Sequence, residues 1–232
     1  MTGVVHSEAI IRPVIIPVGV NLSGDLTVPP EPRGLVVFMH GSGSSRFSPR
    51  NQRVAAHLQH GGFATLLFDL LTIEEDAVDS YTARPRFDIP MLASRLIRVT
   101  DWITTQRVMT TLPIGYFGAS TGAAAALIAA AEQPAAVHAI VSRGGRPDLA
   151  DGALRRVIAP TLLIVGGADT LVIEMNRLAF AELSARTKRL EIVPGATHLF
   201  EERGAIERVA DLATDWFDVH LKTGRRQPDS VE

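Results

Sequence analysis

Six short apolar runs are the feature of this chain that most constrains its fold. They are GLVVFMH (34–40), ATLLFDL (64–70), PIGYFG (113–118), VHAIVS (137–142), TLLIVGG (161–167) and RLEIVPG (189–195). A strand with one face in water alternates apolar and polar residues, whereas these runs are nearly continuous. Such runs are typical of strands that are buried on both faces, as in a parallel sheet. We therefore predict a mostly parallel central sheet.

Segments with helical periodicity separate the apolar runs. The clearest are RVAAHLQHG (53–61), PMLASRLIRVTDWITTQ (90–106) and IERVADLATDWFDVHLK (206–222). In the last segment, spacings of three and four residues predict one buried face formed by Ile206, Val209, Leu212, Trp216 and Val219. Because strands and helices alternate, we predict an α/β fold with helices on both faces of the sheet.

The two ends of the chain differ from its centre. Residues 8–28 are rich in β-branched residues and contain Pro and Gly, so we expect antiparallel strands near a sheet edge, between about residues 4 and 28. The polar tail at 223–232 is expected to be frayed. A chain of 232 residues is predicted to form a single domain, and the N-terminal edge leaves open whether it forms a homodimer.

One long connection, LTIEEDAVDSYTARPRFDI (71–89), joins the second apolar run to the helix at 90–106. Connections of this length are uncommon unless they act as lids or binding loops. Simple surface padding is the other interpretation, and the sequence leaves both open. The segment is too short for a large helical cap domain.

Charge and composition limit the partners of the chain. A formal net charge of −2 gives no reason to expect nucleic acid or an anionic membrane surface as a partner. The absence of cysteine excludes disulfides, thiolate metal sites and a cysteine nucleophile. The N-terminus lacks the basic start and apolar core of a secretory signal, and the most apolar run, at 123–131, is too short for a membrane span of about 20 residues. We expect a cytoplasmic protein.

The motif GASTG, from Gly118 to Gly122, fits G-x-S-x-G and lies between a predicted strand and an alanine-rich segment. In that context Ser120 occupies a turn so sharp that side chains two positions away would collide, which explains both glycines. The turn exposes the hydroxyl above a helix N-terminus, where N–H groups and the helix dipole favour negative charge. The alternative is that Ser120 only caps the helix.

A serine nucleophile needs a base, and the base needs an orienting acid. Asp169 follows the run at 161–167, and His198 follows the run at 189–195. Because parallel strands end at the same edge of a sheet, we expect both side chains beside Ser120. The chain order Ser, Asp, His is one that serine hydrolases use.

Other histidines and aspartates are weaker candidates. Histidines placed on a helix, at a strand start or near a terminus are His6, His57, His60, His138 and His220. His40 ends a strand at the correct edge but precedes Ser120, and we assign it a loop-shaping role. Asp148 and Asp151 are predicted to cap a helix, and Asp69 is kept as an alternative acid.

With these motifs the chain resembles the α/β-hydrolase superfamily, and within it the dienelactone-hydrolase-like branch, over residues 34–220. The motifs that carry the resemblance are HGSGSS (40–45), GASTG (118–122), GGADT (166–170) and PGATHLF (194–200). The resemblance implies that Ser120 is the nucleophile, His198 the general base and Asp169 the orienting acid. It also implies an oxyanion hole formed by the backbone N–H groups of Thr121 and Ser42.

The expected activity is hydrolysis of an ester, thioester or lactone through an acyl-enzyme, without a metal or organic cofactor. Dienelactone hydrolases proper carry cysteine at the nucleophile position, so their substrate is not carried over to this chain. A non-catalytic or weakly catalytic accessory module on the same fold stays open. A nucleotide-binding protein is the remote alternative, because Gly41, Gly43 and Asp69 form half of a dinucleotide fingerprint, with Arg46 at its third glycine position.

Three arginines are candidates for substrate binding. Arg46 follows the HGSGS turn, and Arg143 and Arg146 follow the run that ends at Ser142. Because arginine binds carboxylate and phosphate groups in a bidentate manner, we expect at least one of them to hold an anionic group of a small-molecule substrate. Ordinary salt bridges, for example with Asp148, are the alternative interpretation.

Overall fold

The computed structural model describes residues 10–222, and within them eight strands form one sheet. The strands are β1 (Ile10–Pro17), β2 (Asn21–Val28), β3 (Leu35–Met39), β4 (Ala64–Phe68), β5 (Ile114–Ala119), β6 (Val137–Arg143), β7 (Thr161–Gly166) and β8 (Lys188–Val193). Their order across the sheet is β1-β2-β4-β3-β5-β6-β7-β8.

The pairing of the strands confirms the predicted sheet. All six apolar runs are strands, β3 to β8, and each is parallel to its neighbours among them. β1 pairs antiparallel with β2, and β2 pairs antiparallel with β4, so the N-terminal pair lies at an edge as expected. The expected strand residues before Ile10, and the expected frayed tail at 223–232, lie outside the described residues.

Helices cover both faces of the sheet. They are α1 (Pro49–His60), α2 (Ile73–Thr82), α3 (Ile89–Thr105), α4 (Thr121–Glu132), α5 (Thr170–Glu182) and α6 (Ala205–His220), with 3₁₀ helices at Pro85–Phe87 and Pro147–Arg156. α1 and α6 pack on one face, and α3, α4 and the second 3₁₀ helix pack on the other. No helix within residues 10–222 combines the length and apolarity needed to cross a membrane.

The two layers of helices explain why the apolar runs are continuous. In β3, Val36 and Phe38 enter the core beneath α1 and α6, whereas Leu35, Val37 and Met39 enter the core beneath α3 and α4. Successive side chains of a strand point to opposite faces, so a strand covered on both sides must be apolar at every position.

α4 is apolar around its whole circumference, which is typical of a helix that is fully buried. Ten of its twelve residues are buried, and most of them are alanines. The helix packs between α3 and the 3₁₀ helix at Pro147–Arg156, against the sheet beneath it. The serine turn is therefore attached to the most enclosed helix of the fold.

Some element predictions need correction. α1 begins at Pro49 rather than near residue 53, because Ser48 accepts a hydrogen bond from the Asn51 N–H and proline suits the first helical position. Val219, predicted to lie on the buried face of α6, is 57% exposed. It lies on the last turn of the helix, where Phe217 enters the core instead.

Candidate active site

Ser120 lies at the sharp turn between β5 and α4. Its backbone has φ 51° and ψ −124°, in the region of positive φ that residues with side chains rarely adopt. The backbone holds this turn: the Ser120 N–H donates to Arg143 O at 3.2 Å, and Ser120 O accepts from the Arg146 N–H at 3.0 Å. Across residues 10–222 the Ser120 hydroxyl caps no N–H group of α4, so the helix-cap interpretation is wrong.

Three glycines let the backbone close around Ser120. A Cβ atom on Gly118 would lie 2.5 Å from a backbone carbon of α4, and one on Gly122 would lie 2.5 Å from Met39 O. A Cβ atom on Gly41 would lie 2.9 Å from the Ser120 Cβ. Because carbon atoms pack at about 3.5–4.0 Å, none of these positions has room for a side chain. The predicted steric reason for the motif is confirmed.

Asp169, His198 and Ser120 form a line of contacts at the carboxyl edge of the sheet. The Asp169 Oδ2 lies 2.7 Å from the His198 Nδ1, and the His198 Nε2 lies 3.4 Å from the Ser120 Oγ. A nucleophile–base distance of this size is common in sites without substrate. The carboxylate is largely buried, with 16% of its side chain exposed, whereas the imidazole is 37% exposed. The chain thus brings together the three residues that sequence analysis singled out.

Asp69, the alternative acid, has a different partner. Its carboxylate accepts hydrogen bonds from the backbone N–H of Arg46, at 2.9 Å, and from the Arg46 guanidinium. Asp69 follows β4 and Arg46 lies in the turn after β3, whereas His198 follows β8, which is five strands from β4 and four from β3 in the sheet order. The geometry therefore assigns the contact with His198 to Asp169.

His40 joins the two turns that follow β3 and β4. Its Nε2 accepts a hydrogen bond from the Leu70 N–H at 3.1 Å, and its Nδ1 lies 2.9 Å from Gly41 O. Burial lowers the pKa of the His40 imidazole, because desolvation disfavours the charged form. A neutral ring that donates from Nδ1 and accepts at Nε2 fits both contacts, so the predicted loop-shaping role is confirmed.

A contact between Ser42 and Thr121 was not predicted from the sequence. The Ser42 N–H donates to the Thr121 Oγ1 at 2.9 Å, across 79 positions of the chain. The Thr121 N–H, by contrast, is the first of α4, and the first N–H groups of a helix have no partner within the helix. Of the two N–H groups expected to form an oxyanion hole, that of Ser42 therefore already donates a hydrogen bond, whereas that of Thr121 has no acceptor within α4.

A cleft of about 1140 Å³ opens beside Ser42 and Thr121. The turn after β3, the end of β4 and α2 form its walls, and Ser44, Ser45 and Thr72 are among the residues that line it. A smaller pocket of about 200 Å³, beside Arg33, lies at the opposite end of the strands. Of these two, only the large cleft reaches the residues around Ser120.

The connection at 71–89 is a wall of this cleft and contains α2, which was expected to be loop. A signal for the helix was present: the Thr72 hydroxyl accepts from the Glu75 N–H, and the Glu75 carboxylate accepts from the Thr72 N–H, as in a capping box. Arg95 donates to the Glu75 carboxylate, and Arg86 donates to the Asp79 carboxylate. Since the segment lines the cleft, it is not surface padding.

The three candidate arginines occupy different environments. Arg46 lines the cleft, and its guanidinium pairs with Asp69 and, at 3.1 Å, with Asp25. Arg146 pairs with Asp148 at 2.7 Å, which is the salt bridge considered as the alternative interpretation. The predicted helix capping by Asp148 is thus wrong, because its carboxylate binds this guanidinium instead.

Arg143 is buried on the face of the sheet that α1 covers. Its guanidinium donates to the Asn51 Oδ1 at 3.2 Å and lies 5.8 Å from the centre of the Phe200 ring. Burial lowers the pKa of Arg143 to about 10, since desolvation disfavours the charged guanidinium, and the nearby Arg50 adds repulsion.

Asp151, the other aspartate predicted to cap a helix, has φ 43° at a break inside the 3₁₀ helix at Pro147–Arg156 and caps nothing within the described residues.

Among residues 10–222, no three or more His, Asp and Glu side chains are grouped in a way that could hold a metal ion. The residues beside Ser120 are those of proton transfer and nucleophilic attack.

Comparison with known proteins places these residues in a family. The model of the dienelactone hydrolase family matches residues 22–221. Two Mycobacterium tuberculosis proteins, from strains CDC 1551 / Oshkosh and ATCC 25618 / H37Rv, are 59% identical over 202 residues, and both carry the provisional name phosphoribosyl transferase. The match covers 87% of this chain and 44% of each relative, so the chain spans less than half of their length.

Solved structures agree with the family match. A dienelactone hydrolase from Anabaena variabilis ATCC 29413 is 55% identical, with a TM-score of 0.91 over 93% of this chain and 100% of that chain. Est1E from Butyrivibrio proteoclasticus is 17% identical, with a TM-score of 0.73 over 92% of this chain and 98% of that chain, and shows the fold alone. The chain belongs to the dienelactone hydrolase family.

Proposed function

We propose that this protein is a serine hydrolase that cleaves a carboxylic ester, thioester or lactone of a small molecule. The observation that carries the proposal is the line of contacts from Asp169 to His198 to Ser120, at 2.7 and 3.4 Å. The serine lies at a strained turn beside an open cleft, as a nucleophile requires. Membership of a hydrolase family supports the general class of reaction.

The first half of the reaction forms an acyl-enzyme. The His198 Nε2 takes the proton of the Ser120 hydroxyl while the Oγ attacks the carbonyl carbon of the substrate. Asp169 accepts the Nδ1–H of the ring and stabilises the imidazolium that forms. The carbonyl electron pair moves onto oxygen, returns to expel the alcohol or thiol, and the imidazolium protonates that leaving group.

The second half releases the acid. Water gives a proton to the His198 Nε2 and attacks the carbonyl carbon of the acyl-enzyme, and the Ser120 Oγ leaves with the proton from the imidazolium. His198 acts as a base in its neutral form and as an acid in its protonated form, once each in both halves of the reaction. The proposed reaction uses no metal or organic cofactor.

The cleft beside Ser42 and Thr121 is the proposed binding site of the substrate. Of the three candidate arginines, all within the described residues, Arg46 alone lines the cleft and is the one in position to hold an anionic group. Binding of a small molecule, a cytoplasmic location and the expectation of no nucleic-acid or membrane partner stay predictions. The Mycobacterium tuberculosis relatives are named for phosphoribosyl transfer, but this chain covers 44% of those proteins, and the contacts among Asp169, His198 and Ser120 favour acyl transfer.

The test is intact-protein mass spectrometry after incubation with a fluorophosphonate. We expect one stoichiometric adduct on the wild-type protein and none on Ser120→Ala. Ser44→Ala is the matched control, because Ser44 also lines the cleft but lies outside the line of contacts, and it should be labelled like the wild type. Folded wild-type protein that gives no adduct would overturn the proposal and favour the accessory-module alternative.

A further inference from the structure

We propose that the side-chain hydroxyl of Thr121 is a donor of the oxyanion hole and takes the place expected for the Ser42 N–H. This inference rests on the proposed function, since an oxyanion forms only if Ser120 attacks a carbonyl group. The structural basis is the 2.9 Å hydrogen bond from the Ser42 N–H to the Thr121 Oγ1. Together with its own backbone N–H, Thr121 would then supply two donors from one residue.

The Ser42 N–H is already engaged. A backbone N–H carries one proton, and here that proton is directed at the Thr121 hydroxyl oxygen with a normal N···O distance. To serve the substrate, this N–H would have to give up the hydrogen bond or share it. Electrostatic stabilisation is strongest when donors are already oriented before the reaction, so a donor that must first break a bond is a poor one.

The proton of the Thr121 hydroxyl, by contrast, is free. A hydroxyl donates one hydrogen bond and accepts two, and among residues 10–222 the Thr121 hydroxyl only accepts. Threonines inside helices commonly donate to the carbonyl four residues earlier, as Thr100 does to Leu96 O at 2.9 Å and Thr214 to Ala210 O at 2.8 Å. Thr121 is the first residue of α4, and the residue four positions earlier lies in β5.

The position of this hydroxyl fits an oxyanion donor. Thr121 is only 3% exposed, yet it lines the cleft next to Ser120, so its unpaired proton is withdrawn from bulk water. A buried donor without an acceptor is costly, and a site for a substrate oxygen explains why it persists. The hydrogen bond that it accepts from Ser42 both fixes the side chain and polarises the O–H group, which strengthens it as a donor.

The inferred step moves no proton to the oxyanion. As the bond from the Ser120 Oγ to the carbonyl carbon forms, the π electron pair moves onto the carbonyl oxygen, and the Thr121 N–H and O–H donate hydrogen bonds to it. When the pair returns and the leaving group departs, both hydrogen bonds weaken. Thr121 therefore binds the transition state more tightly than the planar substrate, and its loss should lower kcat more than it raises KM.

The experiment compares Thr121→Val, Thr121→Ser and the wild type with p-nitrophenyl acetate as substrate. Removal of one oxyanion donor typically lowers kcat about 10²–10³-fold, and we expect this for Thr121→Val with KM changed less than about threefold. Thr121→Ser keeps the hydroxyl and should stay within about tenfold of the wild type. Thr214→Val is the control for loss of a helical threonine hydroxyl and should leave kcat unchanged.

A second readout separates catalysis from a structural role. A trifluoromethyl ketone that forms a tetrahedral adduct should bind Thr121→Val about 10²–10³-fold more weakly, whereas acetate, a planar product, should bind unchanged. Equal weakening of both ligands would mean that Thr121 only holds the Ser42 turn, and would overturn the inference. If Thr121→Val does not fold, Thr121→Ala compared with Thr121→Ser provides the same contrast.

Failure of this inference differs from failure of the proposed function. Only the role of Thr121 would be overturned if the wild-type protein reacts with the fluorophosphonate and hydrolyses the ester, and Thr121→Val has a kcat within about threefold of the wild type. Wild-type protein that neither reacts with the fluorophosphonate nor hydrolyses the ester would overturn both.

Discussion

The serine turn and α2 lie on the two sides of one cleft and are held in place by opposite means. At the turn, Gly118 and Gly122 allow backbone contacts that leave no room for a methyl group, and α4 buries ten of its twelve residues. On α2, Asp79 alone among the residues of that helix is buried. Its large apolar side chains, Ile73, Val78 and Tyr81, are 83%, 56% and 92% exposed.

The difference follows from the interactions that each region uses. The closely packed atoms of the turn leave no free space, so a small displacement either breaks contacts or causes overlap. The turn is therefore held in one geometry. α2 is attached by carboxylate–guanidinium pairs, from Glu75 to Arg95 and from Asp79 to Arg86, which can open without disturbing the core. The serine turn therefore lies on the closely packed side of the cleft, and α2 forms the side that we expect to open more easily.

The largest effect is expected from Gly122→Ala, which adds one methyl group to the rigid side. The new Cβ would lie 2.5 Å from Met39 O and against His40 O, both of which are backbone atoms that cannot move aside. We expect the free energy of unfolding to fall by about 3 kcal/mol or more, with loss of ester hydrolysis. Urea denaturation followed by circular dichroism measures the stability.

The matched control is Gly152→Ala, because no atom beyond the adjacent residues of the chain lies within 4 Å of the Cβ position at Gly152. This variant should change the free energy of unfolding by less than about 0.5 kcal/mol. A Gly122→Ala protein with the urea midpoint of the wild type would show that the turn is not closely packed, and would remove one side of the comparison.

Asp79→Asn should loosen the other side of the cleft. Asp79 is 1% exposed and accepts hydrogen bonds from the backbone N–H of Arg86, at 2.8 Å, and from its guanidinium. An asparagine amide keeps one acceptor oxygen but turns an NH2 group toward the other donor, so local opening of α2 should become easier by about 1–3 kcal/mol. Hydrogen exchange should then accelerate at residues 73–82 about 10–100-fold and stay unchanged in α4.

Asp76→Asn provides the control for this change. Asp76 is exposed on the same helix, and within residues 10–222 its carboxylate accepts no hydrogen bond from another side chain. Loss of one acidic charge from the first turn of α2 should accelerate exchange by less than about fivefold. If Asp79→Asn accelerated exchange equally in α2 and α4, the two regions would unfold together and α2 would not be a separately held element.

Acid should make local opening of α2 easier, because it protonates the carboxylate of Glu75. The hydrogen bonds from Arg95 lower the pKa of the Glu75 carboxyl below its ordinary value of 4.5. A carboxyl whose pKa is lower in the folded state stabilises that state above pH 4.5, and this contribution is lost as the pH falls from 4.5 through the folded pKa. Hydrogen exchange in α2, corrected for the intrinsic rate, should therefore rise as the pH falls through this range.

Glu75→Gln tests the assignment because glutamine cannot titrate. Its α2 should exchange faster than the wild type at pH 7 and lose most of the additional acid-induced opening. An acid-induced rise of the same size in Glu75→Gln and the wild type would show that another group controls α2.

The smallest effect is expected from Arg46→Gln. The Arg46 guanidinium lines the cleft but is also bound to Asp69 and Asp25, so much of its charge is already balanced. If it holds an anionic group of the substrate, kcat/KM for a carboxylated ester should fall up to about tenfold relative to its neutral analogue. Equal preference in both proteins would mean that Arg46 only joins the turns after β3 and β4.

The predictable part of the fold follows from local patterns. The six strands of the parallel region were found because strands covered on both faces must be apolar at every position, as in β3. α2 was missed because its apolar residues are exposed and its attachment is by charged side chains, so no apolar stripe marks it. Val219 was misplaced because periodicity does not indicate where a helix extends past its packing partner.

The sequence by itself determined the candidate nucleophile, base and acid, because G-x-S-x-G and the residues that follow β7 and β8 have positions set by the order of the strands. Only the tertiary structure decided how the free donors near Ser120 are distributed. Ser42 and Thr121 lie 79 positions apart, and their hydrogen bond depends on the close approach of the turn after β3 to α4. Local patterns carry no information about that distance, which is set by packing among distant segments.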